Sequence, residues 1–565
     1  MRNPTPSPTL TREPGGVSPL VLAAAASVWI ALPANWPLWQ ALARLPETAS
    51  LRGALFVAQF ALMLALLLLA LLAGFAFARS VKPAIAVFAL AAAFGAHFMG
   101  SYGVVIDSAM LTNVLQTNYG EARDLLSFRL AAGLLLLAGL PLWALWLVPV
   151  RRSKFAAQLG RNTLAAAACV LAIAALGLAS FAELSATMRN HKSIRFLINP
   201  LNSFYALGLL GYQANARPIG PLRAIGADAR IAPPAPGTRP PLLVLVIGET
   251  ARADHFALNG YSRPTNPELA RHGVLSFSNV TSCGTSTAAS LPCMFSHLGR
   301  QGFEARTHDS ENVLDVVQRA GMAVLWLDNQ AGCKGVCARV ANAHAHVAPP
   351  GAAPLPKALC SDGECFDEAL LHGLDERIAA LPAERRARGV LLVLHPMGSH
   401  GPAYYKRSPA AAKRFLPECT TNALQQCSKE SLINAYDNSI VYADRVLAAL
   451  IGWLERQSAR HDTSLFYVSD HGESLGENNL YLHGLPFAFA PREQTHVPWL
   501  AWMSPATQAT SDMRSHCLRE RSREAIAHDH LFHTVLGHLR IHASEYRPEL
   551  DAFSPCRMAV AAVVP

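Results

Sequence analysis

Hydrophobic residues are distributed along this chain in two different ways. Before residue 190 they form long runs such as Ala54–Ala78, in which Gln59 is the one strongly polar side chain. After residue 215 nothing stays apolar for the roughly 18 residues that a membrane helix needs. The apolar runs there are short, and they alternate with helix-compatible stretches.

The early runs predict five membrane spans, near 17–36, 54–78, 83–103, 128–149 and 163–186, each close to the roughly 20 residues that cross a bilayer. Basic residues set the orientation. Arg2 and Arg12 precede the first span, Arg79 and Lys82 follow the second, and Arg151, Arg152, Lys154 and Arg161 follow the fourth. The loop after the third span instead carries Asp107, Glu121 and Asp124. This places the amino terminus in the cytoplasm and residues 190–565 outside it. A cleaved signal peptide over 17–32 is the rival reading, but no small-residue cleavage site follows before Trp36.

Residues 185–212 mix Arg189, His191, Lys192 and Arg195 with apolar and aromatic side chains, a pattern suited either to the membrane interface or to a packed connector. The stretch Arg217–Pro241 holds seven prolines and predicts an extended spacer. Beyond it come the strand-like runs Leu242–Ile247, Ala323–Leu327, Val390–Leu394 and Leu465–Val468, with helices expected over 282–298, 309–320, 365–380 and 430–457. Such alternation predicts a largely parallel sheet with helices on both faces. The resulting partition is a transmembrane domain at 1–188, an interfacial segment and linker at 189–240, a catalytic domain at 241–558 and a tail at 559–565.

Composition supports the division into a membrane half and a soluble half: 51% of residues are hydrophobic and 15% charged, with mean hydropathy +0.22. The excess of 48 basic over 39 acidic residues suits an anionic surface. Of eleven cysteines, Cys169 falls in the fifth span and the other ten follow residue 280. Outside the cytoplasm ten thiols read as five disulfides, with local neighbours Cys283 and Cys293, Cys333 and Cys337, Cys360 and Cys365, Cys419 and Cys427, and with Cys517 and Cys556 left over. Many connectivities remain open on spacing alone. A zinc-thiolate site is disfavoured by the absence of any C-x-x-C pair.

Three of the strand-like runs end on metal-type ligands: Glu249 after the first, His395 and His400 after the third, and Asp470 and His471 after the fourth. Ligands bind outside the carboxyl ends of strands in open α/β sheets, so these residues should converge around a metal. A nucleophile is available in Ser282–Ser290, where a hydroxyl at a helix amino terminus would face N–H donors suited to phosphate. Spacing does not choose among Thr285, Ser286 and Thr287, and an ordinary capping hydroxyl explains the segment equally well.

The strings VIGETARADHFALNGY (246–261), TSCGTSTAASLPCMFS (281–296), DNQAGCKGVC (328–337), HPMGSHGPAYYKR (395–407), YDNSIVYAD (436–444), VSDHGESLGENNLYLHG (468–484) and THVPWLAWMS (495–504), with YGVVIDSAMLTNVLQTNYGEARDLL (102–126), resemble those of the lipid A phosphoethanolamine transferases. That inner-membrane family includes the mobile colistin-resistance enzymes. The resemblance implies five transmembrane helices joined to a periplasmic α/β domain of the alkaline phosphatase and sulfatase type. It implies a tight Zn²⁺ site at Glu249, Thr287, Asp470 and His471, with Thr287 the residue that becomes phosphoethanolaminylated. His400 and His483 match a pair assigned to substrate phosphate or a second, weaker zinc, and to proton transfer. Lys334 and Asn329 match positions that hold the donor headgroup, and Asn113 and Glu121 match polar positions of a lipid-binding external loop. Pro396 stands where the family pattern has glutamine.

The implied reaction moves phosphoethanolamine from phosphatidylethanolamine to a phosphate of lipid A through Thr287, releasing diacylglycerol and lowering the negative charge of lipopolysaccharide, which confers polymyxin resistance. The expected partners are these two lipids and the surrounding membrane, with no nucleic acid, and the expected state is a monomer. Transfer to core Kdo, heptose or glucan is the nearest alternative. A phosphodiesterase, sulfatase or glycerol-phosphate transferase on the same fold is a second, although the C/S-x-P-x-R setting of sulfatases is absent around Thr287. A catalytically dead sensor or scaffold is disfavoured because every expected ligand is present.

Overall fold

A computed structural model describes residues 16–557 apart from 118, 217–220, 233–236, 362, 511 and 512. Arg2, Arg12, four of the spacer prolines (218, 233, 234 and 236) and the 559–565 tail lie outside the described residues, as does the side chain of Glu121. The chain forms two compact units, Met1–Asp107 with Leu126–Gly208, and Ser108–Leu125 with Leu209–Pro565.

In the first unit, among the described residues, five helical stretches are long and apolar enough to cross a membrane: Pro19–Ala43, Leu51–Ala73, Val81–Tyr102, Phe128–Leu147 and Phe155–Ala179. The first is longer than expected and is broken at Pro33–Asn35, where Pro33 and Pro37 supply no N–H. Asn35 compensates for the break, because its Nδ2 donates to the carbonyls of Ile30 (2.8 Å) and Asn199 (2.6 Å). Asn199 Nδ2 in turn donates to Ala34 (2.9 Å) and Ala92 (2.6 Å). Side-chain amides thus satisfy backbone groups that water cannot reach in lipid.

The fifth span starts eight residues before its expected position of 163, at Phe155, because polar residues there are accommodated inside the helix. Gln158 Nε2 donates to Asn162 Oδ1 (2.9 Å), and Asn162 Nδ2 donates to the Ala76 carbonyl (3.1 Å). The helix ends at Ala179 and a second one runs over Phe181–Asn190, so the expected limit at 186 falls within the latter.

The second unit is built on eight strands: β1 (Pro241–Gly248), β2 (Leu275–Thr281), β3 (Ala323–Asp328), β4 (Ala341–His344), β5 (Val390–His395), β6 (Asp462–Ser469), β7 (His496–Met503) and β8 (Ile526–Ala527). Their order across the sheet is β8-β2-β7-β6-β1-β5-β3-β4. All neighbours are parallel except β7, which is antiparallel to both β2 and β6. Strand β1 reads as continuously hydrophobic because both faces are covered. Leu243, Leu245 and Ile247 enter one core and Leu242, Val244 and Val246 the other.

The long helix Lys429–Gln457 covers the second of these faces with Leu432, Tyr436, Ile440, Leu447 and Leu454, and Ser428 caps it by accepting from the Ser431 N–H. Helices Val313–Arg319 and Leu531–His538 pack into the opposite core. The helix expected over 365–380 resolves into a 3-10 turn at Asp367–Leu371 and a short helix at Leu374–Ala379, separated by Gly373 at φ +67°.

Two expectations about organisation change. Part of the stretch read as an extended spacer is tied into the second unit: Arg223 exchanges backbone hydrogen bonds with Asp309 and Glu311 (3.0 Å each), and Arg230–Ile231 forms a separate two-stranded pair with Ile541–His542. The loop after the third span belongs to the catalytic unit. It forms helices Ser108–Gln116 and Tyr119–Asp124, and buried Asp124 pairs with Lys406 and Arg407 while its carbonyl accepts from Asn422 Nδ2 (2.5 Å).

The cysteines pair as Cys283–Cys293, Cys333–Cys337, Cys360–Cys365, Cys419–Cys427 and Cys517–Cys556, which leaves Cys169 free in the fifth span. Alkylation of the full chain after denaturation without reductant should therefore label one thiol, Cys169. Label on any of the other ten would contradict this pairing.

Candidate metal and catalytic site

The register of the sheet assembles the site. Gly248 of β1 lies opposite Ser469 of β6, and Val246 lies opposite Leu394 of β5. The next residues along, Glu249 and Asp470, therefore leave the sheet side by side, tied by the Asp470 N–H to the Gly248 carbonyl (2.9 Å). Glu249, Asp470 and His471 are buried, and each offers a ligand atom within 4.8 Å of the other two.

Backbone strain and close approach fix these positions. Thr250 adopts φ +59°, an outlier for a β-branched residue. It is held there because its N–H donates to Asp470 Oδ1 (3.2 Å), its hydroxyl to Glu249 Oε1 (2.7 Å), and its carbonyl accepts from the Tyr436 hydroxyl (2.7 Å). Gly472 must be glycine, since a Cβ would run into the Glu493 carbonyl. Gly398, at φ +54°, lies equally close to Glu249, with a would-be Cβ 2.8 Å from that carbonyl.

Thr287 is the first residue of the helix Thr287–Met294. Its hydroxyl donates to both Glu249 oxygens (3.2 and 3.1 Å) and lies 3.4 Å from His471 Nε2. Its neighbours point elsewhere: the Thr285 hydroxyl donates to the Leu485 carbonyl (2.6 Å), and Ser286 is the N-cap. His471 Nδ1–H donates to the Gly472 carbonyl (2.9 Å), which leaves the Nε2 lone pair facing the carboxylates.

The electrostatics follow from burying two carboxylates together. Burial raises the Asp470 carboxyl to about 6, reinforced by the charge on Glu249. Burial also acts against Glu249, but side-chain contacts from His395 and His471 hold it well below the ordinary range. The same carboxylates outweigh burial at His471 and raise it to about 10. Asp470 Oδ2 is buried without a hydrogen-bond partner. Two carboxylates, one oriented imidazole lone pair and an orphaned buried oxygen fit a divalent transition metal, and the Thr287 hydroxyl lies beside them.

The remaining expected residues lie around this group. The His483 ring lies tilted against that of His471 (ring centroids 4.3 Å) and edge-on to that of His400 (5.5 Å). Among the described residues neither belongs to the three-ligand cluster. Asn329 Nδ2 donates to the Cys365 carbonyl (2.9 Å) and Asp367 Oδ1 (2.8 Å), so it supports the loop wall. Lys334 Nζ donates to the Gln116 and Ala331 carbonyls (3.1 Å each), linking its disulfide-closed loop to the 108–125 segment. Asn113 lies on the helix Ser108–Gln116, which packs on the Thr287 helix, and Glu121 lies on the following helix.

Gln330, Glu473 and His528 reach the site although the sequence does not single them out, and His395, expected among the strand-end ligands, lies with them. Gln330 Nε2 donates to Glu249 Oε2 (3.1 Å). His395 sits 3.8 Å from the same oxygen, with Nδ1 held by Asp328 (2.8 Å). Buried Glu473 orients His483 through Oε1 and Nδ1 (3.1 Å). His528 ties the Thr287 segment to β6: its Nδ1 accepts from the Cys283 N–H (3.0 Å) and its Nε2–H donates to the Ser469 carbonyl (2.9 Å). Gln330, His395 and Glu473 all lie inside the quoted motifs, whereas only the fold brings His528 in.

Glu249→Ala and Asp470→Ala should each lower bound metal from about one equivalent to near zero by elemental analysis, since either change leaves the cluster a ligand short. Full metal content in either variant would contradict the assignment. A second test is pH-dependent. Burial drives His528 from 6.5 down to about 3, so below 6.5 the unfolded chain takes up a proton that the folded chain refuses. Its stabilising contribution is complete above pH 6.5 and is lost as pH falls, at up to about 1.4 kcal/mol per pH unit. The stability advantage of wild type over His528→Gln, which keeps a donor and an acceptor without titrating, should shrink from pH 7 to pH 5. A constant difference would show that this histidine does not stay neutral in the fold.

Comparison with known proteins agrees with this architecture. Residues 241–541 match the Sulfatase family profile, and residues 62–214 match the profile described as phosphoethanolamine transferase EptA/EptB. The chain is 40% identical over 483 residues to phosphoethanolamine transferase EptA of Escherichia coli strain K12, covering 84% of this chain and 86% of that one. It is 38% identical over 502 residues to phosphatidylethanolamine transferase Mcr-1 from Escherichia coli, covering 87% and 91%. The solved structure of the integral membrane lipooligosaccharide phosphoethanolamine transferase A from Neisseria meningitidis superposes with TM-score 0.89 at 34% identity, over 95% of this chain and 98% of that one. The chain is a multi-pass membrane enzyme and belongs to the EptA/EptB family of phosphoethanolamine transferases.

Proposed function

We propose that this enzyme transfers phosphoethanolamine from phosphatidylethanolamine to a phosphate of lipid A through a covalent intermediate on Thr287, with diacylglycerol as the first product. The observation that carries this reading is the buried Thr287 hydroxyl, bonded to both oxygens of Glu249 and 3.4 Å from His471 Nε2. A threonine hydroxyl is too weakly acidic to attack phosphorus unaided, and its placement among a carboxylate and an imidazole is how such nucleophiles are activated. The donor class is supported by the likeness to a phosphatidylethanolamine transferase and the acceptor class by the likeness to a lipooligosaccharide enzyme.

The site would hold Zn²⁺ on Glu249, Asp470, His471 and Thr287. When bound, that ion supplies Lewis acidity that lowers the hydroxyl pKa and offsets charge on phosphoryl oxygens. In the first step Thr287 Oγ1 passes its proton to the Glu249 carboxylate to which it donates and bonds to the donor phosphorus. The bond from phosphorus to the glycerol oxygen breaks, and that oxygen takes a proton from His400 or His483. Glu473 keeps the His483 ring turned for this role. In the second step an acceptor phosphate oxygen passes its proton to the histidine deprotonated in the first step and bonds to the same phosphorus, while the bond from phosphorus to Thr287 Oγ1 breaks and that oxygen takes its proton back from Glu249. The unpaired N–H groups at the start of the Thr287 helix stabilise the charged phosphoryl group in both steps. Lys334 and Asn329 hold the donor headgroup, and Asn113 and Glu121 line the approach of the lipid. His400 and His483 are also the ligands available to a second, weaker zinc. The enzyme works as a monomer in the inner membrane with its catalytic unit in the periplasm, without a nucleic-acid partner, and it lowers polymyxin susceptibility by making lipopolysaccharide less anionic.

Cells carrying the wild-type chain should yield lipid A heavier by one phosphoethanolamine group, and cells carrying Thr287→Ala should yield none. Thr285→Ala should retain more than about a tenth of wild-type product, because its hydroxyl only braces the Leu485 carbonyl, a contact worth about 1 kcal/mol. Full activity in Thr287→Ala, or modified core sugar with unmodified lipid A, would overturn the reading.

A further inference from the structure

A cavity of about 320 Å³ lies behind the loop that carries His400. Met397 forms part of its wall, while two residues along the same loop the Ser399 N–H donates to the Glu249 carbonyl (3.0 Å). Asp367, also on the wall, accepts the N–H groups of Met397 (2.7 Å) and Gly398 (3.0 Å). Arg407, 3% exposed, donates from Nε to the His400 carbonyl (2.8 Å). Cavity and catalytic site thus share one stretch of chain.

The cavity is rich in donors whose acceptors are missing. Its carboxylates are committed: Glu364 accepts from Arg407 Nη1 (3.0 Å), and Asp367 serves the loop N–H groups and Asn329. Lys406 pairs with Asp124, and Lys413 with Glu418 (2.5 Å). Arg123 has no carboxylate partner among the described residues, and Asp367 spends its oxygens on the loop N–H groups and the Asn329 amide, so the Arg123 guanidinium is free to meet an incoming anion. Three of the five N–H groups of Arg407 are engaged, which leaves two. Ser408 is 3% exposed, and its hydroxyl has no partner. A cation without a carboxylate partner, spare guanidinium donors and a buried hydroxyl suit a group with several acceptor oxygens and negative charge. The volume, equal to about ten water molecules, admits a phosphate together with part of the sugar ring that bears it.

We propose that this cavity binds the second phosphate of a bisphosphorylated acceptor glycolipid while the first accepts phosphoethanolamine at Thr287. The inference rests on the transferase reading above and adds how the acceptor is held. Arg407 couples the two places, since the side chain that faces the bound phosphate also fixes the carbonyl of His400.

The test compares bisphosphorylated with monophosphorylated lipid A as acceptors for the full-length enzyme in detergent, with phosphatidylethanolamine as donor. Wild type should show a KM about tenfold lower for the bisphosphorylated lipid, the effect of one charge-assisted contact. Arg123→Ala should abolish that preference without changing kcat, the KM for the monophosphorylated lipid, or donor-only release of diacylglycerol. Arg123→Lys should restore part of the preference, and Ser408→Ala should weaken it. Equal KM values for the two lipids in wild type, or a preference untouched by Arg123→Ala, would overturn the proposal. Failure of wild type to modify either lipid would instead overturn the transferase reading.

Discussion

The structure of the catalytic unit turns on the burial of one carboxylate, that of Glu249. Removing such a group from water costs several kcal/mol unless partners replace the lost hydration. Here the Thr250 and Thr287 hydroxyls and the Gln330 amide donate to it, and the rings of His395 and His471 flank it. These partners come from five separate stretches of chain, four of them gathered by the parallel order of β1, β3, β5 and β6 and the fifth, at Thr287, following β2. The sheet therefore serves as a device for bringing strand ends to one anion. Most of what lies nearby, including the strained Thr250 and the close approach of Gly398 and Gly472, follows from keeping that anion dry and paired.

The same burial explains why the site favours a cation. Two carboxylates and an imidazole within 4.8 Å can reduce their repulsion by binding protons or a metal, and the raised Asp470 and His471 values express the first option. Asp470 Oδ2, buried without a hydrogen-bond partner, favours the second. The hydroxyl of Thr287 is placed where it can share in either state. Around this centre the residues form a graded series: His483 is aimed by Glu473, Asn329 and Asp367 hold the loop bearing His400, and His528 pins the Thr287 segment to β6.

The parts of the site that were legible in sequence are those where a buried strand stops at a polar residue. Glu249, Asp470 and His471 stand at such points because a strand covered on both faces admits no charge until it leaves the sheet. The nucleophile was less legible. Thr285, Ser286 and Thr287 have similar chemistry, and their side-chain directions are decided only by where the helix begins. The spacer misled for a related reason: proline reports a missing donor and a fixed φ, not detachment, and Arg223 and Arg230 find partners more than 80 residues away. Strand β7 was quoted as a motif without being read as a strand. The break in the first span and the early start of the fifth depend on Asn35, Asn199, Gln158 and Asn162 satisfying one another or a distant carbonyl, which hydropathy alone does not register.

The central claim is that the phosphoryl group passes through Thr287 and is not handed directly from donor to acceptor. Stereochemistry at phosphorus tests this most directly. Each in-line displacement inverts the centre, so two successive displacements restore it and one does not. With a donor made chiral at phosphorus by sulfur and oxygen-isotope substitution, the account predicts net retention of configuration in the phosphoethanolamine-modified lipid A. Net inversion would contradict it, whatever the importance of Thr287 for activity.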